Sequence, residues 1–339
     1  MTPDVLPIIL PLVWGAILAL AVFLYVLLGG YDLGLGVLFP LAPTHQDRDA
    51  MMGSVAPFWD GNETWLVMGG GGLLAAFPLA YSVMLPALYL PIILMLIGLI
   101  LRGVAFEFRE IGANKALWNT AFAGGSTLAG LSQGVILGGM IQGIAVKEGA
   151  YAGGTFDWAT PFALLCGFGV AFGYALLGAT WLTMKTKGPL AERARTQATW
   201  LLFVVLGFMA AVSLWTPLEF PRIRQRWFSL PNLFYLWPVP LLTALTAFAA
   251  WRSLSKGGDT VPFVATIGLF LLGFLGLVIS SFPYLVPPSL TIWQTAAAPS
   301  SQRFMLAGTL VLLPLILGYT AYVYWLFRGK IGPGENYHG

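Results

Sequence analysis

Five charged residues stand at or near long apolar runs: Asp32, Asp60, Glu63, Arg102 and Glu107. A charge inside a membrane span costs about 2.5–3.5 kcal/mol on the insertion scale, so a retained one needs a partner or a task. Asp60 and Glu63 are three positions apart, which puts them on one face of a helix. Two carboxylates that close repel each other, and in a poorly solvated place the pair can carry a proton near neutral pH. The chemical reading is a path for protons into the membrane. The structural reading is equally concrete. Acidic groups stabilise a helix N-terminus by capping and through the macrodipole, and Arg102 can pair with them. The residues alone leave both open.

Other chemistry has little to stand on. No catalytic residue set and no metal-ligand set is present. Cys166 is a single cysteine inside an apolar run, read as a small packing residue. The two histidines, His45 and His338, both lie outside the apolar runs, so no span offers the imidazole that a membrane b-type haem uses. No zinc or copper constellation occurs. Gly69-Gly70-Gly71-Gly72 lacks the Gly-Lys-Ser/Thr of a phosphate loop and reads as a helix-packing surface. Ser132, Gln133 and Gln142 read as interhelical hydrogen-bonding residues.

The elements that must position these residues are apolar helices. Of 339 residues 58% are hydrophobic and 9% charged, with a mean hydropathy of +0.81, so the natural solvent is a bilayer. The basic residues are scattered beside apolar runs, which argues against nucleic-acid binding. Nine stretches are long enough to span, at 7–30, 57–79, 82–101, 117–144, 160–183, 199–216, 233–251, 262–282 and 304–327. Backbone groups in lipid must be bonded internally, so these are predicted helices, in one transmembrane domain over 1–339. The first lacks the preceding Lys or Arg of a signal peptide and reads as a retained helix. On this arrangement 12 of the 17 Lys and Arg lie on one side, which puts the N-terminus outside and the C-terminus in the cytoplasm. Arg222, Arg224 and Arg226 run against that trend. Asp32 then closes the first helix, Asp60 and Glu63 open the second, Arg102 and Glu107 close the third, and all five sit near the cytoplasmic face.

The segment from Gly29 to Arg109 resembles subunit II of the cytochrome bd-type quinol oxidases. The matching pieces are Gly30-Tyr31-Asp32-Leu33-Gly34-Leu35-Gly36, then Ala56-Pro57-Phe58-Trp59-Asp60-Gly61-Asn62-Glu63-Thr64-Trp65-Leu66, then Gly71-Gly72-Leu73-Leu74-Ala75-Ala76-Phe77-Pro78. Arg102-Gly103-Val104-Ala105-Phe106-Glu107-Phe108-Arg109 follows, and Phe282-Pro283-Tyr284-Leu285-Val286-Pro287-Pro288-Ser289, Leu290-Thr291-Ile292-Trp293 and Tyr319-Thr320-Ala321-Tyr322-Val323-Tyr324-Trp325 match near the C-terminus. The middle, 117–260, matches mainly by hydropathy.

The resemblance implies an all-α inner-membrane protein of nine transmembrane helices, two four-helix bundles plus one peripheral helix. It implies a heterodimer with a homologous subunit I that carries haems b and d and the quinol site, surrounded by lipid, with room for a small accessory subunit and a structural quinone. The complex would oxidise quinol and reduce oxygen to water, drawing protons from the cytoplasm. This chain would hold no haem. Carried over by position, Asp60 and Asp32 match acidic residues of the family. Three departures stand out: Leu27-Leu28-Gly29-Gly30 lacks an acid found in some relatives, Glu63 stands where some relatives have a neutral residue, and Trp293-Gln294 stands where some have Trp-Asp. With the short 217–232 loop they point toward the cyanide-insensitive branch. The rival class is a stand-alone secondary transporter, which acidic residues at helix breaks and glycine-interrupted spans would suit.

Overall fold

A computed structural model describes residues 5–112 and 114–331; His338 lies outside them. The chain is helical nearly throughout. Helix α1 (Leu6–Leu38) leads through a 3-10 turn, Phe39–Leu41, to the short α2 (His45–Gly53). Then come α3 (Trp59–Ala76), α4 (Pro78–Ile111) and α5 (Lys115–Gln142). A hairpin of β1 (Val146–Lys147) and β2 (Ala150–Tyr151) precedes α6 (Pro161–Lys185) and α7 (Gly188–Glu219). Two short helices, α8 (Pro221–Phe228) and α9 (Asn232–Leu236), lead to α10 (Pro238–Ser255) and α11 (Thr260–Ser281). A second hairpin, β3 (Tyr284–Val286) with β4 (Leu290–Thr291), precedes α12 (Pro299–Leu326).

Helix ends follow local chemistry. Asn114 caps α5 by accepting from Leu117 N at 3.1 Å, and Thr160 caps α6 by accepting from Ala163 N at 3.1 Å. Pro78, inside the predicted second span, instead occupies the first position of α4, where a missing N–H costs nothing. Pro86 and Pro91 lie inside α4, and the helix bends at Leu88 (φ −121°, ψ 17°), because Pro91 cannot donate to the carbonyl four residues back.

Among the described residues seven helices are long and apolar enough to cross a membrane: α1, α4, α6, α7, α10 with α9, α11 and α12. Helices α3 and α5, both predicted as spans, fall outside that set. The first carries Asp60, Asn62, Glu63 and four glycines, and the second is diluted by Gly, Ser, Thr and Gln.

Helices α1, α4 and α7 run well beyond their predicted bounds, and for α1 the reason is tertiary. The predicted first span stops at residue 30, with Asp32 closing the helix; Gly29, Gly30, Gly34 and Gly36 would each also weaken a helix by about 1 kcal/mol. In the structure α1 runs on to Leu38. A Cβ on Gly34 would lie 1.7 Å from the carbonyl oxygen of Tyr174, so this glycine lets α1 and α6 touch backbone to backbone. Gly98 and Gly125 do the same for α4 and α5, each Cβ position falling within 2.6 Å of the other's carbonyl oxygen. Helix α4 continues to Ile111 and α7 begins at Gly188, their charged turns extending past the apolar runs. The glycine run of α3 is only half a packing surface: Gly69 and Gly72 face Val22 and Leu18 of α1, while Gly70 and Gly71 meet nothing within 4 Å.

Candidate functional site

Helix α1 lies against α3, α5, α6 and α12, and a polar cluster forms where these helices and α4 meet near the C-terminal end of α1. The extension of α1 changes the position of Asp32. It is not a helix-closing residue but an internal one, fully buried. Arg102, likewise inside α4, is 1% exposed. Its Nη1 donates to Glu63 Oε1 at 2.8 Å, and its Nη2 lies 3.5 Å from Asp32 Oδ2. One guanidinium thus bridges a carboxylate on α1 and another on α3. The Trp59 ring covers it at 5.8 Å. With all three ionised, the cluster carries a net charge of minus one.

Neutral groups fix the geometry. Asn62 Nδ2 donates to Asp32 Oδ2 at 2.8 Å and to Tyr31 Oη at 3.0 Å. Tyr324 Oη donates to Asn62 Oδ1 at 3.1 Å and lies 2.5 Å from Tyr31 Oη. Tyr31 must then donate to Tyr324, which closes a ring of three donors and three acceptors. That ring turns the Asn62 amide so that its NH2 faces Asp32. Tyr31 in turn stacks on Trp181 at 4.2 Å. Asp32 Oδ1 and Arg102 Nε are buried and find no hydrogen-bond partner among the described residues, so each retains capacity for one more.

Farther along α1, Tyr174 Oη donates to Gln133 Oε1 at 2.5 Å, and Gln133 Nε2 donates to Tyr25 Oη at 2.8 Å. Gln133 therefore makes the interhelical bonds expected of it, and Gln142 accepts from Thr160 Oγ1 at 2.8 Å. Ser132 is buried. At the end of α4, Arg109 Nη1 pairs with Asp49 at 2.6 Å and its Nε donates to Asn119 at 2.7 Å, tying α2, α4 and α5 together.

Of the five charged residues singled out from the sequence, the structure brings together Asp32, Glu63 and Arg102. Asp60 and Glu107 are exposed, and neither forms an ion pair among the described residues. Asp60 and Glu63 share a helix, yet only Glu63 turns to Arg102. Asn62, Tyr31 and Tyr324 complete the site without having been singled out as site residues. The available signal was a polar Asn62 between two acids and a Tyr beside Asp32; nothing local marked Tyr324. Among the described residues no three of His, Cys, Asp and Glu come together as a metal-ligand group.

A bundle of long apolar helices that buries a clamped carboxylate–guanidinium cluster defines a multi-pass membrane protein. Residues 10–327 match the family model of cytochrome bd terminal oxidase subunit II, and the chain belongs to that family. It is similar to cytochrome bd-I ubiquinol oxidase subunit 2 of Escherichia coli K12, 30% identical over 372 aligned positions that cover 95% of each chain. Cytochrome bd ubiquinol oxidase subunit 2 of Bacillus subtilis is 28% identical, covering 95% of this chain and 97% of the relative. The fold is similar to that of a chain in the bd oxidase structure from Geobacillus thermodenitrificans, with a TM-score of 0.73 at 19% identity, covering 94% of this chain and 98% of that one.

Proposed function

We propose that this chain is the haem-free subunit of a quinol:oxygen oxidoreductase of the bacterial inner membrane, supporting a haem-bearing subunit I and delivering protons from the cytoplasm to it. The observation that carries the proton role is the net-negative cluster of Asp32, Glu63 and Arg102. Two carboxylates around one buried arginine can take up one proton on a carboxylate and become neutral as a cluster, so the cluster can hold a proton in transit without assembling a net positive charge in low dielectric. Glu63, 25% exposed, links the buried Asp32 to the surface turn that carries Asp60. In this reading Asp60 collects protons, Glu63 relays them, and Arg102 steadies both acids. Glu107 lies on the exposed side of α4 and takes no part in the cluster.

The proposal includes nine spans in one membrane domain. The arrangement of α3 supports its inclusion: Ala297 N and Gln302 Nε2 donate to Ala76 O at its far end, while Asn62 bonds Asp32 at its near end. Helix α12 would be the peripheral helix beside two four-helix bundles. The excess of Lys and Arg at the Asp32 end supports a cytoplasmic location for that end, with the N-terminus outside. Haems b and d are assigned to subunit I. Within the described residues the sole histidine, His45, opens the short helix α2, so no described span offers an axial imidazole. Lipid, quinone and a small accessory subunit are further partners in this proposal; exposed residues such as Ile97, Ile100 and Leu101 of α4 suit apolar neighbours. The transporter reading loses its motive, since Asp32 lies in an unbroken helix and Gly69–Gly72 do not interrupt α3.

The test is to tag the chain in its host, extract it mildly and record a reduced-minus-oxidised spectrum with quinol-driven oxygen uptake. Haem b and d bands in stoichiometric amount with uptake are expected. A colourless preparation without uptake would overturn the proposal.

A further inference from the structure

The end of the molecule opposite Asp32 carries few cations, yet Arg222, Arg224 and Arg226 fall within α8, a helix of eight residues. An outward-facing basic cluster runs against the positive-inside tendency. No acid balances it: among the described residues none of the three forms an ion pair. The nearest acid in sequence, Glu219, accepts instead from Trp215 Nε1. Asp157, in the β2–α6 loop, accepts from Gly154 N and Tyr151 Oη.

Arg222 and Arg226 are four apart and share a face of α8. Both turn to the segment leading into the β3–β4 hairpin. Arg226 Nη2 donates to Phe282 O at 2.6 Å. The Arg222 guanidinium lies 5.7 Å from the Tyr284 ring centre, with Nη2 3.5 Å from Ile141 O. Its Nη1 is buried and has no hydrogen-bond partner among the described residues. Burial lowers Arg222 from its ordinary value, and the charge of Arg226 adds to that effect. Arg224 is exposed beside them. Like charges held close enough to repel are stabilised by an anion whose oxygens accept from both.

The surroundings indicate which anion. Ile223 is buried, and Trp227 Nε1 donates to Ser280 Oγ at 2.8 Å, which fastens α8 across the end of α11. The residues that follow expose apolar and aromatic side chains: Phe228 is 59% exposed, Phe234 68%, Tyr235 75% and Trp237 52%. Guanidinium groups beside an aromatic belt at the end of spanning helices match the headgroup level of a bilayer.

We infer that Arg222 and Arg226, with Arg224 beside them, bind the headgroup phosphate of an anionic phospholipid at this face, while the exposed run from Phe228 to Trp237 takes its acyl chains. The guanidinium fork suits phosphodiester oxygens. A zwitterionic lipid brings its own ammonium to the same phosphate and binds less well. Inorganic phosphate offers the oxygens without the chains.

The test uses the intact purified complex, stripped of lipid and then offered palmitoyl-oleoyl phosphatidylglycerol, the corresponding phosphatidylcholine, or inorganic phosphate, with retained lipid counted by native mass spectrometry. Wild type is expected to favour phosphatidylglycerol by about tenfold, the scale of one charge-assisted hydrogen bond. Arg222→Gln with Arg226→Gln is expected to bring the two lipids to parity. If that variant fails to accumulate, Arg224→Gln and a salt titration of wild type decide, since the preference must shrink with either. Equal retention by wild type, an undiminished preference in the variants or at high salt, or displacement of the lipid by equimolar inorganic phosphate would overturn the inference.

Discussion

Replacing Arg102 by leucine removes the one positive charge from a cluster with two carboxylates. The two contacts are unequal. Glu63 is closer, at 2.8 Å, but 25% exposed and able to turn toward water. Asp32 is at 3.5 Å and has no exposed surface, so its charge is stranded. Removing one partner of a buried pair costs about 3–5 kcal/mol, and most of that falls on Asp32. Asp32→Asn alone leaves Arg102 on Glu63 and keeps an acceptor for Asn62, so its loss is about 1–2 kcal/mol. The double variant holds no stranded buried charge and should recover about 2 kcal/mol relative to Arg102→Leu, a coupling beyond the usual additivity error. The assay is a mixed-micelle unfolding titration of the purified complex for wild type, both single variants and the double. An Arg102→Leu midpoint equal to wild type, or strictly additive losses in the double variant, would refute the reasoning.

Tyr324→Phe breaks the hydroxyl ring around Asn62 and should cost about 1–2 kcal/mol in the same titration while slowing oxygen uptake at unchanged subunit content. Gly34→Leu forces α1 and α6 apart; it should cost at least about 3 kcal/mol and cut the amount of protein in membranes, read by immunoblot. Asp259 accepts from Lys330 and from Arg195, and the Lys330 hydrogen bond chiefly holds its carboxyl below the ordinary carboxylate value. A depressed value stabilises the fold above the unfolded value of about 3.9, and that contribution fades as pH falls through the folded one. Solvent screening keeps the effect under about 1 kcal/mol, and Asp259→Asn should flatten the thermal midpoint between pH 5 and 3, to about that extent.

The sequence made the membrane class, the helices and three of the site residues legible, because a charge in an apolar run is costly wherever it sits. Asp32, Glu63 and Arg102 were found on that ground. What stayed hidden depended on tertiary contact. The glycines after Leu28 weaken a helix locally, and only the approach of α6 at Gly34 explains why α1 continues through them. Asp60 and Glu63 looked equivalent at a spacing of three, but Trp59 and Arg102 pack so that one faces inward and the other faces out. Tyr324 is 262 residues from Asn62 in sequence, and a tyrosine near a helix end reads as a belt residue until its partner is known. The 217–232 stretch read as a loop because it lies between two apolar runs, whereas Pro221, at a first helical position, begins α8.

In the proposed function, protons reach the partner through Glu63 and Asp32. The direct measurement is proton uptake from the cytoplasmic side during quinol-driven oxygen reduction, by the complex reconstituted in vesicles, for wild type, Glu63→Gln and Asp32→Asn at matched haem content. The account predicts slower turnover and slower uptake in both variants, by tenfold or so if a general acid–base group has been lost, with the spectrum of the partner's haems unchanged. Uptake at the wild-type rate in both variants would contradict it and leave the cluster a purely structural clamp.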